Sequence, residues 1–387
     1  TVFVMCVFRQ GFSFIVRKCN RILRDYYSFS TFFTFCNFSY TQVPSNSGPI
    51  AIWVENKDWA SGTGPDGVPW KSVMSSAPTD VEFERITKVR PGHADTPGTA
   101  KYRQTDARNI LERSSAREST ARVAAGSVAR RFLEEFGVEI HSQVLSVGDV
   151  KAKVPEHVDW ALVEESPVRC ADPEAAERMM KHIDHARDTG NTAGGVFEVI
   201  AYGVPVGLGS HVHWDRKLDS LIAQAMISIN AVKGVEIGPG FSNTALPGSE
   251  VHDVIESWDG DARPFHHITN RAGGIEGGMS NGEPIVARMA LKPISTLSKP
   301  LPSIDLDTGE RVQAHYERSD VCQVPPACVI GESTMALVLI GCFLEKFGGD
   351  HLDETRRNYL GFQDGLKQFR PAGASSSDTE RPPDDAT

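Results

Sequence analysis

The sequence contains no Cys-x-x-Cys pair. Its seven cysteines stand apart at positions 6, 19, 36, 170, 322, 328 and 342. An odd number at such spacings argues against a disulfide framework or a thiolate zinc site, and for a reducing compartment. Basic charge is not in excess: 40 Lys and Arg face 50 Asp and Glu, a net charge of −10. The electrostatic footprint of a general nucleic-acid binder is therefore missing. No run of 18 or more uncharged apolar residues occurs, so no membrane span is expected. Arg9 and Gln10 interrupt the apolar start, and no small-residue cleavage site follows it, which disfavours a secretory leader. What is present is globular composition, 40% hydrophobic and 23% charged over 387 residues. That length allows one large or two medium domains with a self-sufficient core.

The text changes character along the chain. Residues 1–48 hold nine of the 19 Phe and show neither a period of 2 nor one of 3.6. This segment is expected to have a different history, a frameshifted gene start or a fused leader, or else to supply an aromatic edge strand. From Pro49 a strand-like Ile-Ala-Ile-Trp-Val follows, then a loop-rich stretch over 60–92. The apolar stripe through Ile110, Leu111, Val123, Val128, Phe132 and Phe136 predicts one long helix over 106–136, with small residues inviting close packing. Residues 138–154 and 196–206 read as strands, and 173–187, 218–229 and 327–347 as helices. Glu118-Ser-Thr with Phe132-Leu-Glu-Glu-Phe-Gly137 is echoed by Glu332-Ser-Thr with Phe343-Leu-Glu-Lys-Phe-Gly348, a candidate internal pseudo-repeat. Residues 371–387 are polar, Pro-rich and acidic, and are expected to form a disordered tail.

Five clusters could carry chemistry. In Arg90-Pro-Gly-His93-Ala-Asp95 a titratable ring sits in a stiff loop beside a cation. In Glu112-Arg113-Ser114-Ser115-Ala116-Arg117 the two Arg are four apart, so a helix would put them on one face with hydroxyls suited to phosphate. A solvated face of Glu–Arg pairs accounts for the same pattern. Gly273 to Gly282 holds five glycines that admit close backbone approach, yet it is neither a Walker loop nor a dinucleotide fingerprint. Lys292-Pro293-Ile294-Ser295-Thr296 gathers a cation and hydroxyls, as a surface turn also would. Arg318-Ser319-Asp320 precedes a helix start, a natural anion position, though an Arg–Asp pair closing a loop explains it equally. His211-Val-His213 and the His182/His185 pair raise a zinc hydrolase as a weak third reading, since no further ligand is in evidence. No metal is expected.

Taken together, these segments resemble the chorismate synthase family from about residue 49 to 360. The blocks that carry the resemblance are Arg90 to Asp95 with Lys101-Tyr102, Glu112 to Gly126 and Ser228 to Gly238. Arg271 to Gly278, Met289 to Pro293 and Arg318 to Asp320 continue it, all in the family's order. The resemblance implies an α+β fold, a β-α-β sandwich with helices between antiparallel sheets. A single domain over 49–370 and a cytoplasmic homotetramer are expected with it. It also implies an enzyme that converts 5-enolpyruvylshikimate 3-phosphate to chorismate by anti-1,4-elimination of phosphate, with reduced FMN and no net redox change. NADPH is one source of the reduced flavin; an outside reductase is the other. The flavin lends electron density and its N5 takes the C6 proton, while the protein orients and balances charge.

Residue by residue, the resemblance implies His93 and Asp320 as catalytic groups. It implies flavin contacts at Arg113, Ser114, Ser115, Asn230, Ala231, Gly277, Lys292, Pro293, Ile294, Ser295, Thr296 and Arg318, and substrate contacts at Arg90 and Arg117. One departure stands out. The family opens with a Gly-Glu-Ser-His-Gly block, and nothing like it stands in residues 1–48. The expectation drawn from this is a flavin site that survives better than turnover, or a non-catalytic relative that binds flavin or phosphate.

Overall fold

The computed structural model describes residues 2–6, 50–54, 85–257, 265–317 and 319–368. The remainder of segment 1–48, most of the loop-rich stretch, Arg318 and the acidic tail lie outside the described residues. In chain order the elements are β1 (Val2–Cys6), β2 (Ile50–Val54), α1 (Asp95–Tyr102), α2 (Arg108–Leu111) and α3 (Glu118–Glu134). They continue with β3 (Glu139–Val147), β4 (Val150–Lys151), α4 (Trp160–Glu165), α5 (Pro173–Asp188), β5 (Gly195–Tyr202), α6 (Leu218–Ile227) and β6 (Val232–Ile237). Then come α7 (Gly248–Val251), β7 (Ile255–Ser257), β8 (His266–His267), β9 (Ile275–Glu276), β10 (Met279–Ser280) and β11 (Ile285–Leu291). β12 (Pro302–Ile304), β13 (Arg311–Gln313), α8 (Val324–Phe347) and α9 (Leu352–Gln368) complete the order.

The main sheet is antiparallel, in the order β4-β3-β5-β11-β6. In β11 the burial alternates: Ile285, Ala287, Met289 and Leu291 are buried, and the residues between them less so. That is the pattern of a strand with one face on a core. The edge of that alternation carries a polar rung. Gln143, Glu198 and Arg288 are register partners on β3, β5 and β11, and Glu198 accepts from Gln143 Nε2 at 2.7 Å and Arg288 Nε at 3.1 Å.

Helix α8 lies at the centre, packed on α3, α6, β3 and β5. It is long and apolar enough by composition to cross a membrane, but most of it is buried within the described residues, as a core helix would be. Gly331 lets it close on the sheet; a Cβ there would fall 2.8 Å from Val199 and 2.9 Å from Phe197. β1 pairs with β2 and touches α3, which gives the sequence of sheet, helices and strands of an α+β sandwich. Within segment 1–48, Val2–Cys6 form a strand.

The two echoed helix tails meet. Phe132 and Phe136 of α3 and Phe343 and Phe347 of α8 form one aromatic cluster, with ring centroids 4.6–5.8 Å apart, closed by Tyr359 of α9. Burying each ring stabilises by roughly 1.5–3 kcal/mol. The Glu-Ser-Thr triplets, in contrast, play different parts: Glu118 opens α3, whereas Glu332 is buried midway along α8.

One expected element is corrected. Residues 106–136 are not one helix but α2, a turn over 112–117, and α3. Ser114 Oγ donates to the carbonyls of Ile110 and Leu111, and Ser115 Oγ accepts from the Arg117 N–H. Side chains that bond their own backbone in this way compete with helix continuation.

Candidate active site

The site is built where β11 ends and β6 begins. Lys292 N–H donates to the Ala231 carbonyl at 2.9 Å, which joins the exit of β11 to the entry of β6. Ala231 itself holds φ +68°, a left-handed conformation uncommon for a residue with a Cβ. Beside it Asn230 Nδ2 donates to the Ser114 carbonyl at 3.1 Å, so the turn over 112–117 is anchored to the same place. Lys292 Nζ crosses to the Gly92 carbonyl at 2.5 Å and brings in the loop over 90–95. Gly92 has φ +75°, and a side chain there would be strained. Ser319 Oγ donates to the Thr296 carbonyl at 3.1 Å, and Ala193 N–H to that of Val321 at 2.9 Å, so the segment before α8 closes the ring.

Inside this ring, Arg90, His93 and Asp95 form a compact charged group. Asp95 is wholly buried and Arg90 nearly so, while His93 is about a fifth exposed. Arg90 Nε donates to Asp95 Oδ2 at 2.9 Å, and Nη1 to Thr296 Oγ1 at 3.0 Å. His93 Nδ1 lies 2.5 Å from Asp95 Oδ1. Burial by itself would raise the Asp95 carboxyl; hydrogen bonds from His93 and Arg90, with their charges, outweigh it and hold the group well below the usual carboxylate range. Glu317 stands 3.7 Å from Arg90 and is likewise lowered, first by its bond to His315 and then by Arg90. The Lys292 ammonium is lowered by burial and by Lys233 nearby.

The structure therefore brings together Arg90, His93, Ser114, Asn230, Ala231, Lys292, Ile294 and Thr296, drawn from segments more than 200 residues apart. Ile294 is held through its carbonyl, which accepts from Thr192 Oγ1 at 2.7 Å. Ser115, Pro293 and Ser295 sit in the same two turns. Asp320 is exposed beside Ser319.

Two expected residues are placed otherwise. Arg113 and Arg117 do not share a helix face; both are exposed on the interrupting turn, and Arg117 faces Glu112 at 3.6 Å. Gly277 lies in the turn between β9 and β10. Its neighbour Gly278 accepts from the Leu218 N–H at the start of α6, the opposite end of that helix from Asn230. Arg318 lies outside the described residues.

Asp95 was missed in the sequence. Its signal was its place two residues after His93, in a first helical turn. The histidines of the zinc reading are dispersed: His211 and His213 are exposed, and His182 faces Asp149 at 3.3 Å. Among the described residues no group of three or more His, Cys, Asp or Glu gathers.

Comparison with known proteins places the chain in a family. A family model described as Chorismate synthase matches residues 42–344. Chorismate synthase of Geobacter metallireducens is 51% identical over 330 residues, 83% of this chain and 82% of that protein. That of Moorella thermoacetica is 50% identical over 324 residues, 83% and 82% of the two chains. A solved structure, titled "Crystal Structure of Chorismate Synthase", superposes with a TM-score of 0.62 at 41% identity, over 71% of this chain and 77% of that one. Nothing in these comparisons supports a crippled or non-catalytic relative. With a match over most of its length and relatives at half identity, the chain belongs to the chorismate synthase family and is an enzyme of the carbon–oxygen lyase kind.

Proposed function

We propose that the ring of segments around Arg90, His93 and Lys292 binds reduced FMN and 5-enolpyruvylshikimate 3-phosphate, and that the chain eliminates phosphate to give chorismate. The observation that carries this reading is the convergence itself. Loop 90–95, turn 112–117, Asn230–Ala231, Lys292–Thr296 and the approach to α8 are distant in sequence and tied by hydrogen bonds at one place.

The donor set fits the groups proposed. A phosphorylated flavin and a substrate with one phosphate and two carboxylates need cations and N–H or O–H donors, with few bare anions facing them. Lys292, Asn230, Ser114, Ser115 and the Gly92 and Ala231 turns would hold the flavin. Arg113 would join the flavin contacts, and Arg90, with Arg117 on the exposed turn, would meet substrate anions. Reduced FMN, when bound, would supply electron density to the substrate as the phosphate leaves. The chain's own part is to orient both molecules, exclude water and manage protons. His93 can hold a proton at Nε2, since Nδ1 is engaged with Asp95. Asp320, exposed beside the ring, can take one up.

Several finer parts of the proposal follow. The domain spans 49–370; Gly277 and Arg318 complete the flavin set; the enzyme is a cytoplasmic homotetramer; NADPH serves as reductant where no outside reductase does. The test is anaerobic phosphate release from the substrate with reduced FMN. His93→Ala should slow turnover by about 10²–10⁴, the range for loss of a general acid or base. A chain with no affinity for reduced flavin would overturn the reading.

A further inference from the structure

Asp95 is the most constrained side chain of the site. It is fully buried in the first turn of α1. Its Oδ2 accepts from the Arg90 backbone N–H at 3.1 Å and from Arg90 Nε at 2.9 Å. Its Oδ1 accepts from Arg90 Nη2 at 3.2 Å and faces His93 Nδ1 at 2.5 Å. An ionised carboxylate only accepts hydrogen bonds, so the ring nitrogen facing it carries the hydrogen. Arg90 Nη2 also lies 3.0 Å from His93 Nδ1. A guanidinium only donates, and two donors cannot bond one another; Nη2 has Asp95 Oδ1 as its acceptor instead.

We infer that Asp95 is the positioning residue of this site: it fixes His93 as the Nδ1–H tautomer, leaves Nε2 to exchange a proton with a bound ligand, and locks Arg90 against Thr296. The inference rests on the reading of the ring as the flavin and substrate site. A buried carboxylate that orients an imidazole in this way is a recurring catalytic device, and its amide replacement typically yields the wrong tautomer. The charged and titratable groups around His93 come from several segments. They are Arg90 and Asp95 on its own loop, Lys292 at the exit of β11 through the Gly92 carbonyl, and Glu317 with His315 beyond β13, reaching Arg90. Of these, Asp95 is the acceptor within bonding distance of the ring. The bonds it receives keep it ionised, against the effect of burial.

An Asn at this position has one acceptor and one donor arm. The Arg90 backbone N–H and Nε, two donors at one position, hold its oxygen and turn its NH₂ toward His93 Nδ1, so the Nδ1–H tautomer loses its acceptor. The experiment is nitrogen-15 NMR of the His93 ring in the flavin-free protein, for the wild type and for Asp95→Asn, assigned with His93→Gln. The wild type should show Nδ1 protonated and Nε2 bare in the neutral ring. Asp95→Asn should move the ring toward the Nε2–H form and lower kcat by about 10²–10⁴, with reduced-FMN binding retained. A wild-type spectrum with bare Nδ1 overturns the inference, even if Asp95→Asn fails to fold. So does Asp95→Asn with unchanged tautomer and turnover while His93→Ala is impaired, an outcome that leaves the site reading standing. Should His93→Ala turn over like the wild type, it is the site reading that falls.

Discussion

Gly126 on α3 lies so close to Ser333 on α8 that a Cβ added to it would fall 2.4 Å from Ser333 Cβ and 2.6 Å from its Cα. The two central helices touch there backbone to backbone. Gly126→Ala must push them apart or strain both, and overpacking of this kind typically costs about 1–3 kcal/mol. A lowered urea midpoint is the expected result. Ser333→Gly in the same chain should recover part of the loss, because it removes the nearer of the clashing atoms but not the Ser333 Cα and carbonyl.

The Asp95 carboxyl carries a pH signature. Its pKa is depressed on folding, so its contribution to stability is complete above the unfolded value, about 3.9, and is lost as pH falls through the lower folded value. The stability gap between wild type and Asp95→Asn should therefore be flat from pH 7 to 5 and narrow below about pH 4. Urea titrations at stepped pH check this. A gap that does not narrow in acid would mean that Asp95 gains nothing from Arg90 and His93.

How much of this was legible in the sequence depended on whether the signal was local. Helix α5 was readable at 173–187 because Pro173 suits a first helical turn, and in the structure the Asp172 side chain caps it by accepting from the Ala175 N–H at 3.0 Å. The close approach of another element to the small residues of α3 was readable for the same reason. The break at 112–117 was not. Its residues have ordinary helix propensities, and apolar positions stand on both sides of it; in the structure Ser114 and Ser115 bond back to the chain there. Within the site, the cation and hydroxyl clusters could be seen one by one, but no pattern in the text places Arg90 on Thr296 or Ser114 on Asn230. Those meetings depend on how the main sheet is ordered, and only the family resemblance linked them beforehand. Arg113 and Arg117 were misplaced because spacing by four means one face only if the helix is there.

Cys170, Cys322, Cys328 and Cys342 should be inert in the folded protein. Burial pushes the Cys322 thiol up to about 11 and Cys328 up to about 12, and raises Cys170 and Cys342 as well. At pH 8 a thiol at 11 is thiolate in only about one molecule in 10³, and the thiolate is the reactive form. Iodoacetamide applied to the folded protein should leave the peptides containing these four residues unmodified, and unfolding in guanidinium should expose them all. Rapid labelling of Cys328 in the native state would contradict its burial at the core of α8.

Glu332 offers the sharpest test of the core. It sits midway along α8, almost fully buried, and its Oε1 accepts from Ser142 Oγ at 2.6 Å and Arg169 Nη2 at 2.9 Å. Its Oε2 accepts from Arg130 Nη1 at 2.5 Å, and Arg130 in turn donates from Nη2 to the Ile140 carbonyl. One carboxylate thus faces two guanidinium groups where α3, β3 and α8 meet, and Arg169 has Glu164 at 2.7 Å as a second partner. Removing its charge with Glu332→Gln keeps the shape but leaves buried Arg169 with only the half-exposed Glu164 carboxylate at 2.7 Å, and takes from Arg130 its buried counter-charge. A loss of about 3–5 kcal/mol is expected, as for other broken buried pairs. Replacing the three together, Arg130→Met, Arg169→Met and Glu332→Leu, removes the desolvation cost with the charges, and should fall near wild-type stability or above it. If Glu332→Gln costs no more than a surface pair, under about 1 kcal/mol, water reaches the triad and the packing of α8 against β3 is looser than these bonds require.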